Sequence, residues 1–307
     1  MSATSALGRG AVAPRRARRR NPPTLTALLF LAPFLLCYAA FLLYPMALGA
    51  WMSLYDLDLL TGEGDPVGLG NFARLFADPI FLRTIWNTTL FVLLTTPAFV
   101  AIGLVLALAL NNPLRTSAVL RAVFFSTSVL SVTIVTLVWQ LVYSPANGLA
   151  ANLFRALGLE PVAFLANTTW ALPAVALTTV WWIIGLPLVL FLAALQQIPR
   201  EVYEAAALDR ANRWRVFSRI TFPAIRRTVV LVAVIEVVKQ YQVFGQTFLM
   251  TQGGPNNASR TMVQFIYEAA FRDWQLGFAA AAAQVLFSIM LVTALLQYWA
   301  GSRRDAG

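Results

Sequence analysis

Residues 85–114, IWNTTLFVLLTTPAFVAIGLVLALALNNPL, run for thirty positions without one charged side chain. An α-helix rises about 1.5 Å per residue, so roughly 20 apolar residues cross the hydrocarbon of a bilayer, and this stretch exceeds that. Residues 25–54 are likewise uncharged. A protein lying on a membrane surface would instead place polar residues at helical spacing throughout. The whole chain agrees: 59% of its 307 residues are hydrophobic and 12% charged, too apolar for a soluble domain that keeps a charged surface in water. The expected fold class is all-α integral membrane.

Working outward from this stretch, six transmembrane helices are predicted, at about 24–54, 84–110, 120–143, 170–195, 228–250 and 278–299. An arginine-rich start at 15–20 precedes the first. That run is about twice the roughly 7 to 15 residues of a signal-peptide core and lacks a clear small-x-small cleavage site, so it reads as an uncleaved helix. The organisation expected is a basic tail at 1–23, a membrane domain at 24–300 and a short tail at 301–307. Residues 278–283 are nearly all alanine, and small residues let helices approach closely, so this helix is expected to pack on protein.

Loop charges set the orientation. The first, third and fifth loops hold Asp56, Asp58, Glu63, Asp65, Asp78, Glu160 and Asp273, whereas the second and fourth loops and the ends carry Arg115, Arg121, Arg200, Arg210, Arg213, Arg215, Arg219, Arg226, Arg227, Arg303 and Arg304. By the positive-inside rule both termini face the cytoplasm, and the expected location is a bacterial cytoplasmic (inner) membrane, crossed several times. The net charge of +10 is explained by these short clusters, so no nucleic-acid partner is expected.

Composition also excludes chemistries. The chain has no histidine, the commonest general base and zinc ligand, so no catalytic residue and no metal site is expected. Its only lysine, Lys239, lies in an apolar stretch with no glycine-rich loop before it, so the chain cannot supply the lysine of a P-loop. The one cysteine, Cys37, sits in the first apolar run and reads as a small packing residue.

The fourth loop, 196–227, is the most informative. Pro199 suits a first helical turn, and Glu201-Val202-Tyr203-Glu204-Ala205-Ala206-Ala207-Leu208 continues as helix-forming sequence with acids near its start. A break at 209–212 leads to a second segment at 214–220, ended by Pro223. The expectation is a helical hairpin on the cytoplasmic face, with 199–223 as its bounds.

Glu204, Ala205 and Ala206, followed at fixed spacing by Ile220 and Pro223 and with Asp209 and Ala211 between, resemble the EAA signature of inner-membrane permeases of binding-protein-dependent ABC importers. Further similarity to the sugar-importing, maltose and glycerol-3-phosphate permease type lies in Gly68 to Phe72, Asn87, Thr88, Ser144, Pro145, Gly148, Leu149, Asn152, Thr251 and Gly253-Gly254-Pro255. Only about the first 20 residues fall outside the resemblance. It implies a permease with no cofactor of its own and ATP and Mg bound on separate ATPase subunits. The implied partners are a second homologous permease, two copies of an ABC ATPase, an extracytoplasmic substrate-binding protein and the lipid bilayer. It implies too that the loop is a coupling helix docking on the ATPase, with Glu204 as the charged contact. Arg210 stands where the family has glycine, and Phe222 where it usually has leucine. Since glycine permits φ > 0 and arginine disfavours it, either the turn takes another geometry or Arg210 gains a polar contact to the ATPase.

The fifth predicted span carries Glu236, Lys239, Gln240, Gln242 and Gln246. A charge at mid-membrane costs about 2.5–3.5 kcal/mol or more, so these groups should face protein or a water-filled cavity. One reading is a Glu236–Lys239 ion pair that only fastens helices. The other comes from the resemblance, which puts Glu236, Gln240 and Val243, and by the same spacing Trp182, Thr179 and Ser128, on positions that line the sugar pathway. A carboxylate and an amide suit sugar hydroxyls, Glu236 would discourage an anion, and an indole can stack on a pyranose. Glycerol 3-phosphate or a glycerophosphodiester is the alternative cargo, but a phosphate would favour arginines and the spans contain none. A membrane enzyme or receptor would need a catalytic constellation or a signalling domain, and neither is present.

Overall fold

The computed structural model describes residues 24–58, 60–62 and 64–302, with backbone alone at 24–27 and 300–302. The basic tail 1–23, Glu63, Arg303 and Arg304 lie outside the described residues. Those up to Leu48 form one compact unit and those from Gly49 onward another.

The chain starts with α1 (Thr24–Tyr38), a five-residue π turn (Ala39–Leu43) and α2 (Tyr44–Met52) in one unbroken run. In the π turn the Tyr44 amide reaches back five residues to the carbonyl of Ala39, and Pro45 follows. A proline lacks the amide that would close an ordinary turn, and its ring collides with the carbonyl four residues earlier, so a widened turn just before it relieves the clash.

A small antiparallel hairpin, β1 (Tyr55–Leu57) with β2 (Gly64–Pro66), leads to α3 (Gly70–Ala77). Asn71, inside the Gly68–Phe72 signature, donates to the carbonyls of Ser53 (3.0 Å) and Tyr55 (2.8 Å) and so ties α3 to the hairpin. The longest element, α4 (Pro79–Leu110), takes up residues 85–110 of the uncharged stretch 85–114. It opens at Asp78, whose carboxylate accepts the amides of Ile80 (2.7 Å) and Phe81 (3.4 Å), and Pro79 occupies the first turn, where no amide is needed.

Next come α5 (Arg115–Ser126), α6 (Val132–Tyr143), α7 (Leu149–Ala156), α8 (Ala171–Ile183) and α9 (Gly185–Leu195). The span expected at 120–143 is not one helix: α5 and α6 meet at 103°. The hydroxyl of Thr127 donates to Phe124 and across to the Trp182 carbonyl (2.8 Å), while Ser131 caps α6, so the side chains here compete with helix hydrogen bonds and end α5. The span expected at 170–195 bends by 48° between α8 and α9. Gly185 stands at that bend, where a Cβ would come within 2.7 Å of the Phe124 carbonyl oxygen and 2.8 Å of the Phe125 Cα. Only a residue without a side chain lets α5 and α9 approach so closely, the means by which helices associate where lipid offers no hydrophobic drive.

The remaining helices are α10 (Arg200–Leu208), α11 (Arg213–Val216), α12 (Phe222–Tyr241), α13 (Gly245–Thr251), α14 (Met262–Phe271) and α15 (Leu276–Ser302). The span expected at 228–250 ends early, after Tyr241. Its freed Val243 carbonyl accepts the Thr261 hydroxyl at 3.0 Å, because the loop after α13 folds back over it. Asn87 holds that loop through the carbonyls of Asn257 (2.7 Å) and Arg260 (3.0 Å), and Thr88 accepts the Met262 amide (2.9 Å).

Among the described residues the long apolar helices are Leu28–Met52, Pro79–Leu110 and Leu276–Trp299, joined by the two bent pairs. The alanine run packs as expected: Ala279, Ala281 and Ala282 are buried in a cluster with Val237, Tyr241 and Phe265. Beside it Leu104, Leu188, Phe191, Ile225 and Val232 join α4, α9 and α12.

Candidate functional site

The loop singled out by sequence forms a short helix, a tight turn and the root of a long helix. α10 starts after Pro199 and carries Glu204 and Ala205 exposed and Ala206 buried. Its end is a Schellman motif: the Ala211 amide bonds to the Ala206 carbonyl (3.0 Å) and the Arg210 amide to that of Ala207 (3.1 Å). The residue this motif places in the left-handed region is Arg210, with φ 51°. The turn therefore keeps the conformation that glycine would favour, and the arginine bears the strain. Asp209 and Arg210 are exposed and Ala211 is half-buried.

Asn212 then caps α11, its Oδ1 accepting the Arg215 amide at 2.8 Å. Pro223 does not end a hairpin, contrary to the sequence expectation. α11 passes through a π turn (Phe217–Thr221) into α12 as one helical run, with the Phe222 amide on the Phe217 carbonyl and Pro223 next. This is the arrangement seen at Pro45.

Sequence reasoning missed two features of this loop. Tyr203 Oη and Thr221 Oγ1 lie 3.3 Å apart and join α10 to the π turn. Leu208, one helical turn after Glu204, is 86% exposed, more than any other large apolar side chain among the described residues. An apolar residue left so open beside a carboxylate was visible in the sequence only as helix-forming composition.

On α12 the predicted stripe is present but differently turned. Glu236 and Gln240 are 1% and 2% exposed, while the Lys239 side chain is 41% exposed. Gln240 Nε2 donates to Glu236 Oε2 at 2.9 Å, and Lys239 Nζ lies 3.6 Å from Oε1. The carboxylate is thus a buried support shared by an amide and an ammonium, and of the three only Lys239 reaches open space. Val243 is buried against the cluster of Phe91, Val175 and Met250.

The remaining pathway candidates gather at the α5–α6 bend. Ser128 Oγ lies 3.4 Å from the Trp182 carbonyl, and Trp182 Nε1 donates to the Leu130 carbonyl at 3.1 Å. Thr179 is fully buried and its hydroxyl bonds to the Val175 carbonyl within its own helix (2.8 Å). Thr179 and Val243 therefore do not line an open surface of this chain. No cluster of histidine, cysteine, aspartate or glutamate suited to a metal occurs among the described residues.

Residues 67–305 match the family described as binding-protein-dependent transport system inner membrane component, and the chain belongs to that family. It is therefore a transporter permease and an inner-membrane component, not an enzyme. It is 32% identical over 273 residues to a sulfoquinovosyl glycerol transport system permease protein of Agrobacterium fabrum, covering 88% of this chain and 89% of that one. To a lactose transport system permease protein of Rhizobium radiobacter it is 31% identical over 285 residues, covering 90% and 94%. A solved bacterial ABC transporter for import of the acidic polysaccharide alginate superimposes with a TM-score of 0.80 at 25% identity, covering 91% of this chain and 96% of its counterpart.

Proposed function

We propose that this chain forms half of the translocation pathway of an ATP-binding-cassette importer for a sugar or oligosaccharide, with a second homologous permease, two ATPase subunits and an extracytoplasmic binding protein. The runs α1–α2, α4, α5–α6, α8–α9, α11–α12 and α15 are its six spans, and both ends face the cytoplasm. The observation that carries the reading is mechanical continuity. α10 presents Glu204 and Leu208 outward and is joined through Tyr203 and Thr221 to the same helical run that carries Glu236, Lys239 and Gln240.

In this reading an ATPase that closes on ATP moves α10, and α10 tilts α12 at its root. Glu204 supplies the charged contact, Leu208 the apolar one, and the small Ala205 the close approach. Cargo contacts fall to Lys239 and Trp182, with Glu236 and Gln240 holding the ammonium in place. Since the buried carboxylate is countered by Lys239, this reading does not assign Glu236 the exclusion of anions. The named relatives and the solved neighbour serve lactose, sulfoquinovosyl glycerol and alginate, which favours a saccharide over glycerol 3-phosphate.

The test is ATP-dependent uptake of labelled trehalose, maltose and glycerol 3-phosphate by cells co-expressing the chain with its genomic neighbours, with wild-type and Glu204→Arg proteins. Sugar uptake lost in the variant while the complex still assembles is the expected result. Uptake of the phosphate alone would refute the cargo, and undiminished uptake in the variant would refute the role of Glu204.

A further inference from the structure

A groove of about 690 Å³ runs between α10 and the helical run that follows it, α11 with its π turn. Its floor is small and apolar: Ala205 and the buried Ala206 come from α10, and Ala211 and Ile220 complete it. The Schellman motif closes that floor, since the Ala211 amide is bonded to the Ala206 carbonyl. The walls differ in sign. Glu201 and Asp209 stand on the α10 side, Arg215 and Arg219 on the other, and all four are exposed. The two arginines are one helical turn apart and so face the same way. Among the described residues none of the four side chains takes part in an ion pair or a hydrogen bond, so the groove holds the two charge rows apart.

An apolar floor inside a charged rim is the anatomy of a protein-binding site, in which the floor supplies burial and the rim selects the partner. The groove is continuous with the docking face of α10: Ala205, given the close approach to the ATPase, lies in it, and Glu201 stands one helical turn before both Ala205 and Glu204. The chain's own ends do not suit it. The tail 1–23 has no carboxylate for the arginines, and 303–307, Arg-Arg-Asp-Ala-Gly, has no large apolar side chain for the floor. An anionic lipid head would meet two carboxylates. We propose that a segment of the ATPase fills the groove, seating an apolar side chain on Ala205, Ala206 and Ala211, with a basic residue toward Glu201 and Asp209 and an acidic one toward Arg215 and Arg219. A segment with the opposite charge order would set like charges against both walls, so the groove also decides which ATPase the permease accepts. This inference rests on the reading of α10 as the coupling helix and adds α11 and the π turn as the second half of that site.

The complex of this chain with its co-expressed genomic neighbours is purified through a tag on the permease, with photo-reactive benzoylphenylalanine placed at Val202, which also lines the groove. Illumination should join that position to the ATPase, and peptide mapping should put the adduct on a segment where a basic and an acidic residue flank an apolar one. ATPase retained by the complex is then measured over a salt series. Glu201→Gln with Asp209→Asn, and separately Arg215→Gln with Arg219→Gln, should each weaken retention about fivefold at low salt and flatten its salt dependence. If the ATPase is retained and Glu204→Arg abolishes uptake, but the adduct falls only on this chain or on the second permease, the groove inference is overturned and the coupling reading stands. Undiminished retention in both wall variants overturns it equally. Failure of the wild-type complex to retain any ATPase would overturn the coupling reading itself.

Discussion

Arg210 holds a backbone angle that a branched or long side chain adopts at a cost of about 1–2 kcal/mol, because its Cβ crowds the neighbouring carbonyl. Glycine removes the crowding but gains freedom when unfolded, so Arg210→Gly should stabilise the complex by about 1 kcal/mol or less, while Arg210→Val should destabilise it. Thermal unfolding of the purified complex checks both signs. Lys239 raises a different energetic question. It is the only cation within reach of the buried Glu236 among the ion pairs of the described residues. Lys239→Met leaves that carboxylate without its countercharge, which costs about 3–5 kcal/mol or forces it to take a proton. Lys239→Met combined with Glu236→Gln should recover most of the stability. If the pair only fastens helices, that double variant should also recover transport. If Lys239 meets cargo, the complex should assemble and transport should stay low. Uptake measured beside assembly separates the two.

The bends are decided by how helices fit together. Gly185 brings α9 against the backbone of α5, and the contacts at 2.7 and 2.8 Å are with main-chain atoms that cannot swing aside. Gly185→Ala should therefore force the two helices apart and lower the yield of assembled complex several-fold, whereas Ala193→Gly, on the exposed side of α9, should change it little. Membrane-fraction blots of tagged protein make the comparison. The hydroxyls of Tyr203 and Thr221 join α10 to the π turn. Tyr203→Phe removes that link and keeps the ring, so ATP hydrolysis should continue while uptake per ATP falls. An unchanged ratio of uptake to hydrolysis would show that motion reaches α12 by another route.

Considered as a whole, the chain exposes aliphatic and aromatic side chains along most of its helices, as a protein dissolved in lipid does, but it also leaves Lys239 open in the last turn of α12. In lipid that ammonium costs about 2.5–3.5 kcal/mol or more, so the face bearing it must meet another subunit or water. Expressed without the second permease proposed above, the chain should accumulate several-fold less in the membrane than when co-expressed with it, as quantitative blotting would show. The signature residues also acquire a role at this level. Asn71, Asn87 and Thr88 bind backbone carbonyls and an amide of distant segments, so they hold the fold rather than touch cargo.

The apolar runs and the helix-forming loop were legible in the sequence, because hydrocarbon thickness and helical rise make length and composition sufficient to recognise them, but the break between α5 and α6 and the end of α12 at Tyr241 were not. The special position of Arg210 was legible too, since the EAA spacing marks where a left-handed residue belongs. Packing alone decided the rest. Whether a serine-rich segment bends a helix depends on a carbonyl such as that of Trp182 being within reach, and whether Glu236 or Lys239 meets open space depends on which side of α12 its neighbours cover. A periodic pattern assigns residues to a face of a helix, but only the surrounding helices determine whether that face is buried, and so which polar group is left to act.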